Sequence, residues 1–191
     1  MTRSWLAGMV AILAGALSVP PLRSVIEQSM AWHMVFQMPL LVAAGALAAR
    51  ALPAPGLSGK WISFNLFGLT GFMAAQGIIA FWMLPLAIDR AVVNPGFDAL
   101  KLVTLFASGV LLREAFHRAP MALQLFFIGY WVSMMCWLGI YFATTDLRLC
   151  NAYSLDSQTA TGWRLLALGL LLGATWLAQA LRTAVRDAQT H

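Results

Sequence analysis

Residues 121–144 read MALQLFFIGYWVSMMCWLGIYFAT, twenty-four positions without one Asp, Glu, Lys or Arg. At a rise of ~1.5 Å per residue a helix needs about 20 residues to cross a hydrocarbon core of ~30 Å. This stretch has that length, and it stops at the polar pair Thr144-Thr145. It therefore reads as a transmembrane helix, and the same pattern recurs on both sides of it. Pro20-Pro21 closes an apolar run that begins at Trp5, Pro53-Ala54-Pro55-Gly56 closes a second, Asp89-Arg90 a third and His117-Arg118-Ala119-Pro120 a fourth. A sixth run follows the polar stretch 145–161. The expected fold is an all-α polytopic bundle, a single integral membrane domain over residues 1–191. Its six spans fall at about 5–22, 29–52, 61–88, 97–116, 121–144 and 163–181.

Composition supports the class. Apolar residues make up 61% of the 191-residue chain and charged residues 10%, against about 25% charged in a soluble globular protein. The net charge of +5 is spread along the chain. No basic cluster is present to neutralise phosphates, which excludes a nucleic-acid-binding domain. The apolar content excludes disorder. Apolar runs this long point to helices and away from a β-barrel. Two cysteines are too few for a disulfide scaffold. Along an unbroken helix Cys136 and Cys150 would stand ~21 Å apart, so both are expected as free thiols, with Cys150 the more accessible.

Charge sets an expected orientation. With the amino terminus in the cytoplasm, the inside segments carry Arg3, Arg50, Lys60, Arg113, Arg118, Arg182 and Arg186. The outside segments carry Arg23, Arg90, Lys101, Arg148 and Arg164. That bias follows the positive-inside rule and puts both termini in the cytoplasm. The outer loops are then 20–28, 89–98 and 145–162. The first run, with Arg3 ahead of it and small residues Ala16 and Ser18 near its end, has the form of a signal peptide and is read as a retained signal anchor. Glycines such as Gly45 and Gly109 within the spans allow helices to approach closely in lipid.

The chemistry concentrates at the start of the second span. Met30, Met34 and Met38 recur at i, i+4 and i+8 and form one helical stripe, flanked by His33 and Gln37. Thioethers with one imidazole form a soft donor set suited to Cu(I), and an ionisable residue inside a span is a functional candidate by default. The candidate metal ligands are therefore His33, Met34, Met38 and Met30. The same stripe also describes a methionine-lined packing face. Met83, Met134, Met135 and Cys136 fall on the same outer side. Asp98 and Lys101, three apart at the head of the fourth span, read as a surface ion pair; the other reading is that Asp98 approaches the face bearing His33. Trp32, Trp61, Trp82, Trp137 and Trp163, with Tyr130, Tyr141 and Tyr153, read as interfacial belts. His117 reads as solvated at the inner end of the fourth span. The chain has no catalytic triad, Walker loop, GxGxxG or HExxH, so no enzyme activity is expected.

The run His33-Met34-Val35-Phe36-Gln37-Met38-Pro39-Leu40-Leu41, followed by Phe81-Trp82-Met83-Leu84-Pro85 and Asp89, resembles the CtaG family over roughly residues 30–116. The family comprises polytopic bacterial membrane proteins linked to cytochrome c oxidase assembly. The resemblance implies a periplasm-facing site in a bacterial inner membrane, handling copper for a haem–copper oxidase, with oxidase subunits or other respiratory-chain proteins as partners. The family pattern His-Met-x-x-His-Met is kept as His33-Met34, while Gln37 stands where its second histidine would be. Asp98 and Lys101 stand where the family tends to place further histidines. The alternative is accordingly a non-catalytic accessory or scaffold subunit of a respiratory membrane complex, without a metal of its own.

Overall fold

The structure is a computed structural model that describes residues 28–51 and 65–190. The first expected span, the signal anchor and Trp61 lie outside the described residues. Every regular element described is helical. A π-helical turn, Trp32–Gln37, leads into α1 (Met38–Ala51). A 3-10 turn, Leu66–Gly68, leads into α2 (Leu69–Trp82). Then follow α3 (Pro85–Val93), α4 (Pro95–Arg118), α5 (Met121–Thr144) and α6 (Leu155–Thr190). Among the described residues, four helical stretches are long and apolar enough to cross a membrane: Trp32–Arg50, Pro95–Arg118, Met121–Thr144 and Leu155–Thr183. A fifth crossing results if α2 and α3 count as one broken span.

That break falls inside the expected third span, 61–88, at Pro85, the residue expected to kink its end. Pro85 has no N–H to give the preceding turn and disfavours helical backbone at Leu84. Leu84 is extended (φ −73°, ψ 129°), and the chain restarts with Pro85 in the first turn of α3, bent 71° from α2. The sixth helix also begins earlier than expected, at Leu155 in place of Trp163. The polar residues that make 154–161 look like loop are its start signal. Ser154 Oγ accepts from the Ser157 amide at 3.2 Å, and Asp156 sits in the first turn. The head of α4 is capped in the same way: Asn94 Oδ1 accepts from the amides of Gly96 and Phe97 at 2.9 and 3.1 Å.

Helix α4 is the central post, with α1 and α2 packed on it, while α5 and α6 pack on each other. Glycines set both close crossings. A Cβ on Gly109 would run into the backbone of Val42 and Ala46 on α1, and one on Gly45 into the Phe106 carbonyl on α4. A Cβ on Gly162 would lie 2.6 Å from the Ala143 nitrogen on α5. Phe72 ties the two halves, stacked on Phe127 of α5 (4.6 Å, 11°) and edge-on to Phe116 of α4 (4.9 Å, 81°). Large apolar side chains such as Met73, Val103, Phe126, Trp137 and Leu171 are exposed, which suits a lipid-facing surface. Trp32, Trp137, Trp163, Tyr130 and Tyr141 share that exposed surface. Trp82 and Tyr153 depart from the expected belts, because both are buried in the interior.

Candidate functional site

The site forms where α1 begins, α3 meets α4 and the 145–154 loop folds across the bundle. The π-helical turn sits immediately ahead of Pro39. Proline's ring crowds the carbonyl four residues earlier, and a widened turn relieves that contact. The Met38 amide therefore donates to the His33 carbonyl, five residues back. The turn leaves Trp32 on the surface and His33, Met34 and Gln37 inside. Met30, Met34 and Met38 are all buried in one apolar cluster with Trp82, Ile88, Leu105 and Tyr153. The four candidate ligands thus lie buried at one end of α1.

The polar partners of His33 come from elsewhere. Its Nδ1 lies 2.8 Å from the Tyr153 hydroxyl, and its Nε2 lies 2.8 Å from Lys101 Nζ. Lys101 Nζ in turn lies 2.7 Å from Asp98 Oδ1. His33 and Lys101 are 0% exposed and Asp98 3%. The Asp98–Lys101 pair is therefore a buried pair facing His33, which corrects the surface-pair reading. An ammonium has three donors and no acceptor. With Lys101 charged, Nζ donates to Nε2 and to the carboxylate, which leaves the Nδ1–H of His33 to donate to Tyr153 Oη. The result is a continuous chain Asp98–Lys101–His33–Tyr153 linking α4, the π-helical turn and the loop. Its single anion and single cation neutralise each other, the condition for keeping charge in a dry interior.

Lys101 also bears on metal binding. A carboxylate and an imidazole lone pair converge on one positive centre, and that centre is a side-chain ammonium. Both imidazole nitrogens are engaged, so a metal at His33 would have to displace Lys101 or Tyr153. No group of three or more His, Cys, Asp or Glu able to hold a metal occurs among the described residues.

The loop that delivers Tyr153 is clamped at several points. Asp89 on α3 accepts from the Asn151 amide at 2.9 Å and the Ala152 amide at 3.2 Å. Arg148 Nε donates to the Tyr153 carbonyl and its Nη2 to the Asn151 carbonyl, both at 2.7 Å. Gln158 on α6 accepts from the Leu149 amide at 2.9 Å and donates to the Leu147 carbonyl at 3.0 Å. Ser157 Oγ accepts from the Met30 amide at 3.1 Å, fastening the entry to α1 onto α6. Cys136 and Cys150 are both free thiols. Cys150 is buried at 1% exposure while Cys136 is half-buried, the reverse of the expected order. Burial first, and the nearby Asp89 carboxylate second, push the Cys150 thiol up to about 12. His117 is exposed at the far end of α4, as expected.

His33 is legible in the sequence as a site residue, and the approach of Asp98 to its face is one of two readings the sequence offers. The roles of Tyr153, Asp89, Arg148 and Gln158 are not legible there. No spacing signals them, since Tyr153 lies 120 positions from His33 and Asn151 lies 62 from Asp89. No protein family, curated protein or solved structure matches the chain. Fold and site together define a helical protein with, among the described residues, four or five apolar helices able to cross a membrane and a buried ionisable chain at one end.

Proposed function

We propose that the protein is a non-catalytic accessory or scaffold subunit of a respiratory membrane complex in a bacterial inner membrane, built on the plan of the copper-handling assembly factors that its 30–116 segment resembles. The observation that carries this reading is the Lys101 ammonium, 2.8 Å from His33 Nε2 and 2.7 Å from Asp98. It is a covalently attached hydrogen-bonding partner for the two groups a metal would recruit, so the end of the bundle stays organised without an exchangeable ion. The role left to the protein is to present a rigid helical frame to lipid and to neighbouring subunits.

A copper-handling reading has one observation in its favour, the burial of Met30, Met34 and Met38 at the same end of α1 as His33. Anaerobic Cu(I) titration of purified protein separates the two. The scaffold reading expects no stoichiometric uptake by the wild type. It expects the neutral double variant Asp98→Asn/Lys101→Met, which exposes the Nε2 lone pair and adds a thioether, to gain a site. It also expects the wild type to co-purify with a larger respiratory assembly after mild solubilisation. Uptake of one Cu(I) per wild-type chain, lost in His33→Ala with helicity unchanged, would overturn it in favour of copper handling.

A further inference from the structure

Helices α1 and α4 both start at the end of the bundle where His33 meets Lys101, so they run in parallel away from it. Their backbones touch at Gly45 and Gly109. On α1, Val42 and Ala46 face Gly109, and Arg50 is the next member of that row, four positions on. On α4, Leu105, Gly109 and Arg113 make the matching row. The seam between the two helices therefore ends, about one turn past the glycine contact, in two arginines.

Nothing in the bundle neutralises this pair. Arg50 is exposed, and Arg113 is partly buried and close enough to Arg50 for their charges to repel. Neither guanidinium has an ion-pair or hydrogen-bond partner among the described residues. Glu114, the acid that bears on Arg113, is taken up by Arg118 at 3.4 Å. Two like charges held together at the edge of a low-dielectric bundle are costly unless an anion joins them. An apolar track leads to the pair. Val103, Phe106, Val110 and Arg113 recur three, four and three positions apart on one face of α4, and Val103 and Phe106 are exposed.

We propose that this end of the α1–α4 seam binds the phosphate of an anionic phospholipid, with Arg50 and Arg113 as the two forks and an acyl chain along Val103 and Phe106. A guanidinium matches phosphate oxygens bidentately. Basic pockets between membrane-spanning helices take anionic headgroups. The pair sits where the apolar runs of α1 and α4 finish, the depth at which a bilayer presents its phosphates. A soluble anion would make no use of the apolar track. The site lies at the end of the bundle opposite the Asp98–Lys101–His33 chain, so it stands or falls separately from the scaffold reading.

The test uses the full chain, delipidated in a non-ionic detergent. The probe is dioleoylphosphatidylglycerol, read by native mass spectrometry and by thermal unfolding. One lipid retained per chain is expected, with a raised unfolding temperature. Arg50→Gln/Arg113→Gln should weaken retention at least about tenfold, and dioleoylphosphatidylcholine should bind the wild type more weakly by a similar factor. Arg164→Gln, which alters an exposed arginine near the start of α6, should leave retention unchanged. Because the double variant removes a repulsion, its lipid-free unfolding temperature should equal or exceed that of the wild type. Equal retention by wild type and double variant, or of the two lipids, overturns the proposal. So does a lower lipid-free unfolding temperature in the double variant, which would mean that the arginines are already satisfied within the protein. Inorganic phosphate that stabilises the wild type as much as the lipid does makes the occupant a free anion and overturns the lipid assignment.

Discussion

Lys101 shows how a charged side chain can sit inside an apolar bundle. Its ammonium is a compact point charge with three donors on a flexible stem, and Asp98 and His33 Nε2 take two of them. Removing one member of a buried pair strands the other, so Lys101→Ala should cost about 3–5 kcal/mol. Lys101→Ala/Asp98→Ala should cost clearly less than the two single variants summed, a coupling readable from detergent-unfolding curves followed by circular dichroism. At the loop, Cys150 is a pH reporter. Burial raises its thiol to about 12 in the folded chain, against about 8.5 for an exposed thiol. The neutral thiol favours the folded state, so its contribution is complete below about pH 8.5 and is lost as pH rises toward 12. At pH 8, iodoacetamide should leave Cys150 unmodified in the folded protein and modify it in SDS. Asp89→Ala, which releases the loop amides, should speed that alkylation more than about tenfold, as local opening becomes easier; mass spectrometry reads the site. Hydropathy and spacing made His33 legible as an unusual residue in a span. They could not pair it, because a tyrosine in a loop and a lysine at a helix end have many surface uses and one buried use.

At the scale of elements, the α1–α4 crossing depends on two hydrogen atoms where other residues carry a Cβ. Gly109→Leu would push α1 off the α4 backbone, and should destabilise the protein by about 3 kcal/mol, the upper range for overpacking. Gly77 borders open space, so Gly77→Ala should match or exceed wild-type stability through helix propensity alone. Thermal unfolding of the two variants side by side checks the contrast. The extent of α5 was fully legible, because an uncharged run flanked by Pro120 and Thr145 leaves one reading. Pro85 announced a bend, but not that Trp82 just before it turns inward, where its Nε1 donates to Thr104 Oγ1 of α4 at 2.9 Å. The start of α6 was misread because Ser, Asp and Gln serve both loops and helix N-termini, and only the backbone conformation separates the two uses.

For the whole molecule, the helix order places the 93–95 turn and the 145–154 loop at one end and the 119–120 turn at the other. In a Cys136→Ala/Cys150→Ala background, Val93→Cys and Leu147→Cys should react with an impermeant maleimide from one side of a sealed vesicle. Met121→Cys should react from the opposite side. All three positions are exposed. Labelling of all three from a single side would mean that α4 and α5 do not cross the bilayer.

Length, apolar runs and proline punctuation were enough to determine an all-helical chain with apolar helices of membrane-crossing length, because hydropathy sums along contiguous residues and needs no knowledge of neighbours. The helical period also told which side chains share a face of α1. Which helix that face meets was decided only by tertiary structure. His33 finds Lys101 across 68 positions and Tyr153 across 120, and that meeting depends on the glycine crossings and the clamped loop, whose energies come from contacts between segments distant along the chain.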